Sequence, residues 1–416
     1  MSDYNLKVSL PKIPVPFSLC GRSELLFPNI LIQTGDDNDY SIINIEEMEL
    51  LKKNKNQIDS IYDSKEWDTA KKITNPYELV YVSSRKSKIK SMAKYEPLSR
   101  SYFKLWEILH DYFLNPEYED NYKLITNKNK IKIAHIAEGP GGFMEAIINL
   151  RKKYLMDNHN IEDLQDDIYG ITLRSTDKEI PGWKKATNFL RKHKNITITY
   201  GHDGTGNIYN TENIKFFQNR VGYNSVDLIT ADGGFDFSID FNRQEFLAQR
   251  LIFCELVTAM SVQKVGGCFI CKFFDTYSLL TIKFIYILQC FYREVHINKP
   301  LTSRPANSEK YIVACQFKGI NNATLTQLYD VIDQWEQVDN YGKNIVEIFE
   351  GTIPEEFIQE IKKYNTKSAH GQIEYITKTL SQVKNNNKPQ IYNIMKQQKI
   401  NAMEWCQKYN VERNII

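Results

Sequence analysis

Several features that mark specialised protein classes are scarce in this chain of 416 residues. Neither sign of charge dominates, since 53 lysines and arginines against 51 aspartates and glutamates give a net charge of +2. A nucleic-acid site would therefore need a local basic surface. The most apolar stretch, 268–292, is interrupted by Lys272, Asp275 and Lys283, so we expect a buried strand and helix there and no membrane span. The first twelve residues lack the apolar core of a signal peptide.

Cysteine is also sparse, with seven residues scattered along the chain, which is typical of a reducing compartment. Cys268 and Cys271 have the spacing of a metal or redox pair, but they lie in a predicted strand. Residues three apart in a strand point to opposite faces, and no second pair is nearby. We therefore expect no metal site. We expect a cytoplasmic protein, with the nucleus as the alternative, and a viral factory or virion if the source is viral.

The remaining composition is that of a globular protein, with 42% hydrophobic and 25% charged residues. From residue 131 onwards, short apolar runs alternate with longer helical patterns. The predicted strands are 131–138, 167–173, 195–200, 226–232, 267–274, 294–299 and 310–317. The predicted helices are 143–154, 246–265 and 279–290. This alternation predicts an α/β fold with a mostly parallel sheet that binds ligands at the carboxyl ends of its strands.

Three regions follow from the pattern. Residues 1–95 show no clear period, and we expect a partly irregular N-terminal region that wraps the larger domain and holds candidate RNA contacts. Its basic run, 85–94, is either a solvated loop or an RNA-facing loop. Residues 96–320 form the α/β domain. Residues 321–416 are predicted to form a helical C-terminal extension.

A glycine-rich turn follows the first predicted strand of the domain and opens a helix. The residues Glu138–Phe143 read EGPGGF. Glycines let the backbone approach a ligand, and the start of a helix offers unpaired N–H groups. The turn lacks the lysine and the Ser/Thr of a phosphate-binding loop and the GxGxxG spacing of a dinucleotide site. A cofactor without a pyrophosphate, such as S-adenosylmethionine, fits better; a plain tight turn is the alternative.

Two charged residues stand out at predicted strand ends. Asp232, in ADGGF, stands at the end of a predicted strand and is placed over the ligand crevice, although a turn aspartate would have the same pattern. Lys272 lies within the apolar run GGCFICKFFD, where a lysine is costly to bury. The alternative is a lysine that extends from the strand end to solvent. Beside another cation, a partly buried lysine has a lowered pKa, which suits a general base.

Longer segments carry a specific resemblance. ADGGFDF (231–237), GGCFICKFFDTYSLLTIKFIYILQCFY (266–292) and KPLTSRPANSEKYIVACQFKG (299–319) resemble the cap-specific mRNA 2′-O-methyltransferases, a branch of the FtsJ-type RNA 2′-O-methyltransferases. EGPGGF, NPYE (75–78) and SRSYFKLWEI (99–108) belong to the same likeness, which spans residues 75–318. The resemblance implies a Rossmann-like methyltransferase domain with a seven-stranded mixed sheet.

The resemblance also implies a reaction and its residues. The family's catalytic lysine–aspartate–lysine–glutamate set falls on Lys104, Asp232, Lys272 and Glu309. These residues would transfer a methyl group from S-adenosylmethionine to the 2′-hydroxyl of the first transcribed nucleotide of 5′-capped mRNA. Lys272, neutralised by burial and by the Lys104 cation, would be the general base. The alternatives are methylation of the second nucleotide, of ribosomal or of transfer RNA, or an inactive RNA-binding subunit.

Cofactor and RNA contacts are implied by the same likeness. The cofactor residues would be Glu138, Gly139, Pro140, Gly141, Gly142, Phe143, Met144, Asp203, Asn207 and Ile208. Two positions depart from the family, since Asn207 and His135 stand where aspartates are usual. The RNA contacts would be Ser99, Asn242, Arg243, Gln244, Arg304 and Asn307, with Tyr62 and Lys71 as an aromatic–basic pair for the cap. Capped mRNA is the expected partner, with other capping enzymes or RNA polymerase as further candidates.

Overall fold

The computed structural model describes residues 6–12, 30–36, 39–59, 61, 65–83, 90–126, 129–159, 165–177, 180, 182–234, 241–384 and 388–415. Its strands are β1 (Leu6–Ser9), β2 (Gln33–Gly35), β3 (Lys132–Ile136), β4 (Asp167–Ile171), β5 (Ile196–Thr199), β6 (Val226–Ala231), β7 (Gln263–Phe273), β8 (Tyr292–Lys299), β9 (Lys310–Phe317) and β10 (Asn344–Glu347). Its helices are α1 (Ile45–Asp59), α2 (Lys65–Thr74), α3 (Ser101–Tyr112), α4 (Glu119–Thr126), α5 (Gly142–His159), α6 (Thr187–Lys192), α7 (Thr211–Val221), α8 (Gln244–Val262), α9 (Leu279–Phe291), α10 (Asn322–Asn340), α11 (Glu355–Lys384) and α12 (Lys388–Lys408).

The large sheet has the order β1-β8-β9-β7-β6-β3-β4-β5. Strands β3 to β7 run parallel to one another, while β9 is antiparallel to both β7 and β8. This confirms the predicted α/β fold with a mixed sheet. The sheet has eight strands and not the expected seven, because β1 pairs with the edge strand β8. A four-residue strand is too short to show a period in the sequence.

Helices cover both faces of the sheet, so its central strands are buried on both sides. On β7, Phe269, Cys271 and Phe273 pack into a core with α8, α9 and α10, while Cys268 and Ile270 pack into a second core with α3, α5 and α12. Cys268 and Cys271 therefore lie on opposite faces, as predicted, and both are free thiols. Across the part of the chain described, no helix is both long and apolar enough to cross a membrane.

The two flanking regions pack together. The described residues of the N-terminal region form β1, β2, α1 and α2. Both of its helices pack against α11 of the C-terminal extension, and β2 pairs with β10. The extension is mostly helical, as predicted, with α10, α11 and α12, and it adds the short strand β10. Lys55 of α1 pairs with Asp275 and Asn365 of α11 bonds to Thr276, so both flanking regions lie beside the carboxyl end of β7.

Candidate active site

Lys104, Asp232, Lys272 and Glu309, called the tetrad from here on, meet at one edge of the large sheet. Asp232 directly follows β6, and Lys272 is the last residue but one of β7. Glu309 directly precedes β9, whose antiparallel direction places its first residues beside the end of β7. Lys104 reaches this edge from the first turn of α3. The structure thus brings together the four residues that the resemblance selected.

The tetrad forms two ion pairs. Lys104 Nζ lies 2.6 Å from Glu309 Oε1 and 2.8 Å from Oε2. Lys272 Nζ donates to the backbone carbonyl of Asp232 at 2.8 Å and lies 3.2 Å from its Oδ1. Tyr311 OH donates to the same Oδ1 at 3.0 Å. The four tetrad side chains are 12% to 16% exposed, so they are largely shielded from water but accessible to a ligand.

The charge balance around Lys272 differs from the expectation. Burial lowers the pKa of Lys272, but the carboxylates of Asp232 and Glu309, joined by Glu255 once it is ionised at high pH, outweigh it and raise the pKa above its ordinary value. The prediction of a lowered pKa for Lys272 was therefore wrong. The Lys104 cation is already paired with Glu309. Burial alone would raise the pKa of Glu309, but Lys104 and Lys272 outweigh it and hold that pKa at about 2.

A buried glutamate fastens α3 to the segment that carries Glu309. Glu107 Oε1 accepts from Leu301 N at 2.6 Å, and its Oε2 accepts from Thr302 N at 3.2 Å. The same Oε2 accepts from Trp405 Nε1, on α12, at 3.0 Å. Burial, followed by the nearby Asp111, raises the pKa of Glu107 to about 7. These contacts position the helix of Lys104 against the segment 300–309.

The glycine turn brings its backbone close to neighbouring protein groups. Gly141 has a φ of 102°, a left-handed conformation that favours glycine. A Cβ at Gly141 would lie 3.3 Å from the ring of Trp183. Trp183 is 5% exposed, and its Nε1 has no hydrogen-bond partner among the described residues. The helix α5 begins directly after the turn, so its first N–H groups are available there. These features fit a small ligand that carries hydrogen-bond acceptors.

Other residues of the turn serve packing. A Cβ at Gly142 would overlap the hydroxyl oxygens of Ser99 and Ser101, which are 2.5 Å apart. Ser99, predicted as an RNA contact, therefore lies at the start of α5 beside the turn. Phe143 and Met144 are fully buried and belong to the core shared with α3 and α5.

Glu138 lies beneath the turn in a buried polar group. Its carboxylate contacts His135 Nδ1 at 2.8 Å and accepts from Thr230 Oγ1. Glu138 is 3% exposed, and burial raises its pKa despite His135. Glu138 and His135 therefore interact with each other. Within the described ranges, no group of three or more histidine, cysteine, aspartate or glutamate side chains is arranged to hold a metal ion.

The predicted residues Asp203, Asn207 and Ile208 lie in one loop after β5. Asp203 accepts from Thr205 Oγ1 at 2.7 Å, Thr205 N at 2.8 Å and Asn213 Nδ2 at 3.0 Å. Mainly through the bonds to Thr205, its pKa is lowered to about 2. Asn207 Oδ1 accepts from Tyr209 N at 3.0 Å, and Ile208 is buried. The carboxylate of Asp203 and the amide oxygen of Asn207 thus organise the loop itself. The Asn207 backbone does the same, since its N–H donates to Thr205 Oγ1 at 3.1 Å and its carbonyl accepts from Asn213 Nδ2 at 2.9 Å.

Four predicted RNA contacts line a common cavity of about 240 Å³: Lys71, Gln244, Arg304 and Asn307. We call this the basic–aromatic cavity, since the rings of Trp67 and Tyr375 line it as well. Asn242 and Arg243 line a neighbouring cavity of about 430 Å³ instead. Tyr62, the predicted aromatic cap contact, lies outside the described residues.

One wall of the basic–aromatic cavity is tied to the start of α3. Glu78 Oε1 lies 3.0 Å from Arg304 NH2, and Glu78 Oε2 lies 3.1 Å from Arg100 NH1. Asn75 Nδ2 donates to the same Oε2 at 2.6 Å. Burial would raise the pKa of Glu78, but Arg100 and Arg304 outweigh it and lower that pKa. Arg304 is therefore fixed by a carboxylate that also holds the residue before α3.

Comparison with protein families adds an independent observation to this geometry. The pattern of the FtsJ-like methyltransferases matches residues 97–317, which are more than half of the chain and include the whole tetrad. The chain belongs to the FtsJ-like methyltransferase family. This match confirms the resemblance to the FtsJ-type methyltransferases that the sequence segments carried.

Relatives of this FtsJ-like methyltransferase include the cap-specific mRNA (nucleoside-2′-O-)-methyltransferase 1 of Bos taurus. It is 28% identical over 342 residues, which are 78% of this chain and 37% of the relative. The Homo sapiens protein of the same name is 30% identical over 268 residues, which are 61% of this chain and 28% of the relative. The chain thus spans about a third of the length of these relatives. A ribosomal RNA methyltransferase structure from Plasmodium falciparum is 20% identical, with a TM-score of 0.37, over 53% of this chain and 99% of that chain.

Sequence reasoning missed Glu255, a buried residue behind the tetrad of this FtsJ-like methyltransferase. Its Oε1 accepts from Gly233 N at 3.0 Å, and its Oε2 lies 3.5 Å from Cys271 Sγ. Burial, opposed by Lys272, raises the pKa of Glu255 to about 8. A Cβ at Gly233 would overlap Glu255 Oε1, which explains the glycine after Asp232. A lone glutamate inside the apolar run LIFCELVTAM was the available signal.

Lys299 and Tyr375 were also missed. Lys299 closes β8 and contacts the segment that carries Glu309. Tyr375 lies on α11, far along the chain from Arg304, and only packing brings it to the cavity. A lysine before a proline in KPLTSRP has the pattern of an ordinary exposed turn residue, so no sequence signal distinguished Lys299.

Proposed function

We propose that this protein methylates the ribose 2′-hydroxyl of the first transcribed nucleotide of 5′-capped mRNA, with S-adenosylmethionine as methyl donor. The observation that carries the proposal is the convergence of Lys104, Asp232, Lys272 and Glu309 at one sheet edge, in two contacting pairs. The family membership and the activity for which the two relatives are named support the same reaction.

The tetrad suits proton removal from a ribose hydroxyl. A 2′-hydroxyl is a weak nucleophile and must lose its proton as it attacks, so a base is needed within hydrogen-bond reach. Lys272 Nζ, in its neutral form, accepts that proton and becomes an ammonium, which Asp232 stabilises at 3.2 Å. Glu309, held by Lys104, offers a fixed carboxylate that orients the hydroxyl. The oxygen–methyl bond forms as the methyl–sulfur bond breaks.

The glycine turn and the 203–208 loop are the proposed cofactor site. S-adenosylmethionine supplies an electrophilic methyl group on a positively charged sulfonium. Gly141 adopts a left-handed conformation against the ring of Trp183, whose Nε1 is a buried donor without a partner among the described residues. A cationic ligand at this edge opposes the charged form of Lys272, which favours the neutral base. The tetrad itself needs no metal ion for this transfer.

The basic–aromatic cavity is the proposed site of the cap. Methylated guanine is a flat cation, so it binds well against aromatic rings such as those of Trp67 and Tyr375. Lys71 and Arg304 supply positive charge for the phosphates that join the cap to the first nucleotide. Asn307 lines this cavity and is two residues from Glu309. This short separation supports a cap site next to the tetrad.

The test compares two RNAs that differ only at the 5′ end. Capped RNA should be methylated at least about tenfold faster than the same RNA with a triphosphate end, and mass spectrometry should place the methyl on the first nucleotide. Lys71→Ala should raise KM for capped RNA, while Lys72→Ala, on the same helix but outside the cavity, is the control. Equal rates on both RNAs would remove the cap assignment, and methylation of the second nucleotide would correct the position.

A further inference from the structure

Lys299 lies at the point where β8 ends and the segment 300–309 begins. It is 4% exposed, and its ammonium has three oxygen acceptors. Nζ donates to Asn307 O at 2.7 Å, to Asn307 Oδ1 at 2.9 Å and to Glu309 O at 2.8 Å. An ammonium has three N–H groups and no acceptor, so these bonds use its full capacity.

The segment 300–309 folds around this ammonium. Ser303 Oγ lies 2.9 Å from Glu309 Oε1 and 3.3 Å from Asn307 Oδ1, so the two residues held by Lys299 are also linked to each other. Glu309 belongs to the tetrad through Lys104, and Asn307 lines the basic–aromatic cavity. A single buried cation therefore holds one catalytic residue and one residue of the proposed cap site.

Stability does not explain a lysine at this position. Burying an ammonium is costly, and replacing buried charges by apolar side chains of similar volume is often neutral or stabilising. Burial lowers the pKa of Lys299 to about 7, while the carboxylate of Glu309 opposes this shift. Only the ammonium form supplies three N–H groups, and three acceptors are in place. The lysine therefore fixes geometry at an energetic cost.

We infer that Lys299 is a positioning residue that couples the basic–aromatic cavity to the tetrad. The inference rests on the proposed function for the identity of the ligand in the cavity. Lys299 holds Asn307 and Glu309 in one arrangement, so a cap bound against Asn307 meets a Glu309 that is already aligned with the ribose. Loss of this anchor lets the segment shift, and a displacement of about 1 Å can lower a rate about 10²-fold.

The experiment uses the full chain with two substitutions of Lys299. Lys299→Met removes all three donors at similar volume, whereas Lys299→Gln keeps two N–H groups without the charge. Lys283→Met is the matched control, since Lys283 is equally buried and bonds to Phe349 O at 3.1 Å and to Glu347, away from the tetrad. For each protein, kcat and KM are measured with capped and triphosphate RNA, with S-adenosylhomocysteine affinity and Tm in parallel.

Lys299→Met should lower kcat on capped RNA about 10²-fold, with unchanged S-adenosylhomocysteine affinity. The kcat of Lys299→Gln should lie between those of Lys299→Met and the wild type. The rate advantage of capped over triphosphate RNA should shrink in both variants. Lys283→Met should keep the wild-type kcat. Wild-type kcat in Lys299→Met, or equal losses of kcat and cofactor affinity in all three variants, would overturn the inference. If the wild type does not prefer capped RNA, the proposed function fails separately, and the kcat comparison is made with the RNA that it accepts.

Discussion

Replacing Lys272 by arginine tests whether this residue removes the 2′-proton. Arginine keeps the positive charge and can still pair with Asp232, which lies 3.2 Å from Lys272 Nζ. It cannot be deprotonated at any working pH. A role in attracting phosphate would survive the substitution, whereas a role as base would not. General-base catalysis contributes about 10²–10⁴-fold, so we expect kcat to fall by that factor.

The charges around Lys272 also predict the pH dependence. Carboxylates raise its pKa above the ordinary value of 10.5, so the ammonium predominates before ligands bind. At three pH units below such a pKa, less than about one molecule in 10³ carries the neutral amine. The wild-type kcat/KM should therefore rise about tenfold per pH unit between about pH 6 and 9. In Lys272→Arg this rise should be absent.

Substitutions of the neighbours of Lys272 should shift this rise of kcat/KM with pH, the alkaline limb of the profile, in opposite directions along the pH axis. Asp232→Asn removes the strongest attraction on the Lys272 ammonium, so the limb should shift to lower pH while the rate falls through lost orientation. Lys104→Ala leaves Glu309 without its partner at 2.6 Å, and the freed carboxylate should shift the limb to higher pH.

The assay is methyl transfer to capped RNA across pH, with S-adenosylhomocysteine affinity measured by calorimetry at each pH. Lys264→Arg is the control, because Lys264 is an exposed lysine at the opposite end of the same strand. A Lys272→Arg protein that binds the cofactor product normally and retains near-wild-type kcat would refute the general-base role. If the kcat/KM of the wild type does not change with pH below pH 9, the raised pKa of Lys272 does not control the rate.

Two further substitutions test the surroundings of the tetrad. Gly141→Val should lower the affinity for S-adenosylhomocysteine about 10²-fold, as measured by calorimetry, because valine is strained at a φ of 102° and its Cβ would crowd Trp183. Unchanged affinity in a folded variant would place the cofactor elsewhere. Glu255→Leu removes the acceptor of Gly233 N–H and should lower kcat about tenfold. Glu255→Gln should retain most of the wild-type kcat at pH 7, since a carboxyl with a pKa of about 8 is largely neutral there. Equal losses of kcat in Glu255→Leu and Glu255→Gln would contradict a neutral carboxyl.

The sequence by itself determined the fold and the edge of the sheet at which the tetrad gathers. Parallel strands end at a common edge, so an aspartate directly after the run 226–231 and a lysine near the end of 263–273 had to lie close together. The glycine turn after β3 follows the same rule. The segments SRSYFKLWEI and SRPANSE carried the resemblance that located Lys104 and Glu309, which strand periodicity alone does not connect.

The tertiary structure decided what depends on distances between segments far apart in the chain. The pKa of Lys272 is the sum of burial and every nearby charge, and Glu255 and Glu309 approach it only through packing of α8 and the antiparallel pairing of β9. The cavity needs α2 and α11, about 300 residues apart, on either side of residues 304–308. Lys299 acquires three acceptors only when the following segment folds back over it. Sequence spacing fixes which residues share a strand or helix, but it does not fix which charges meet across the core.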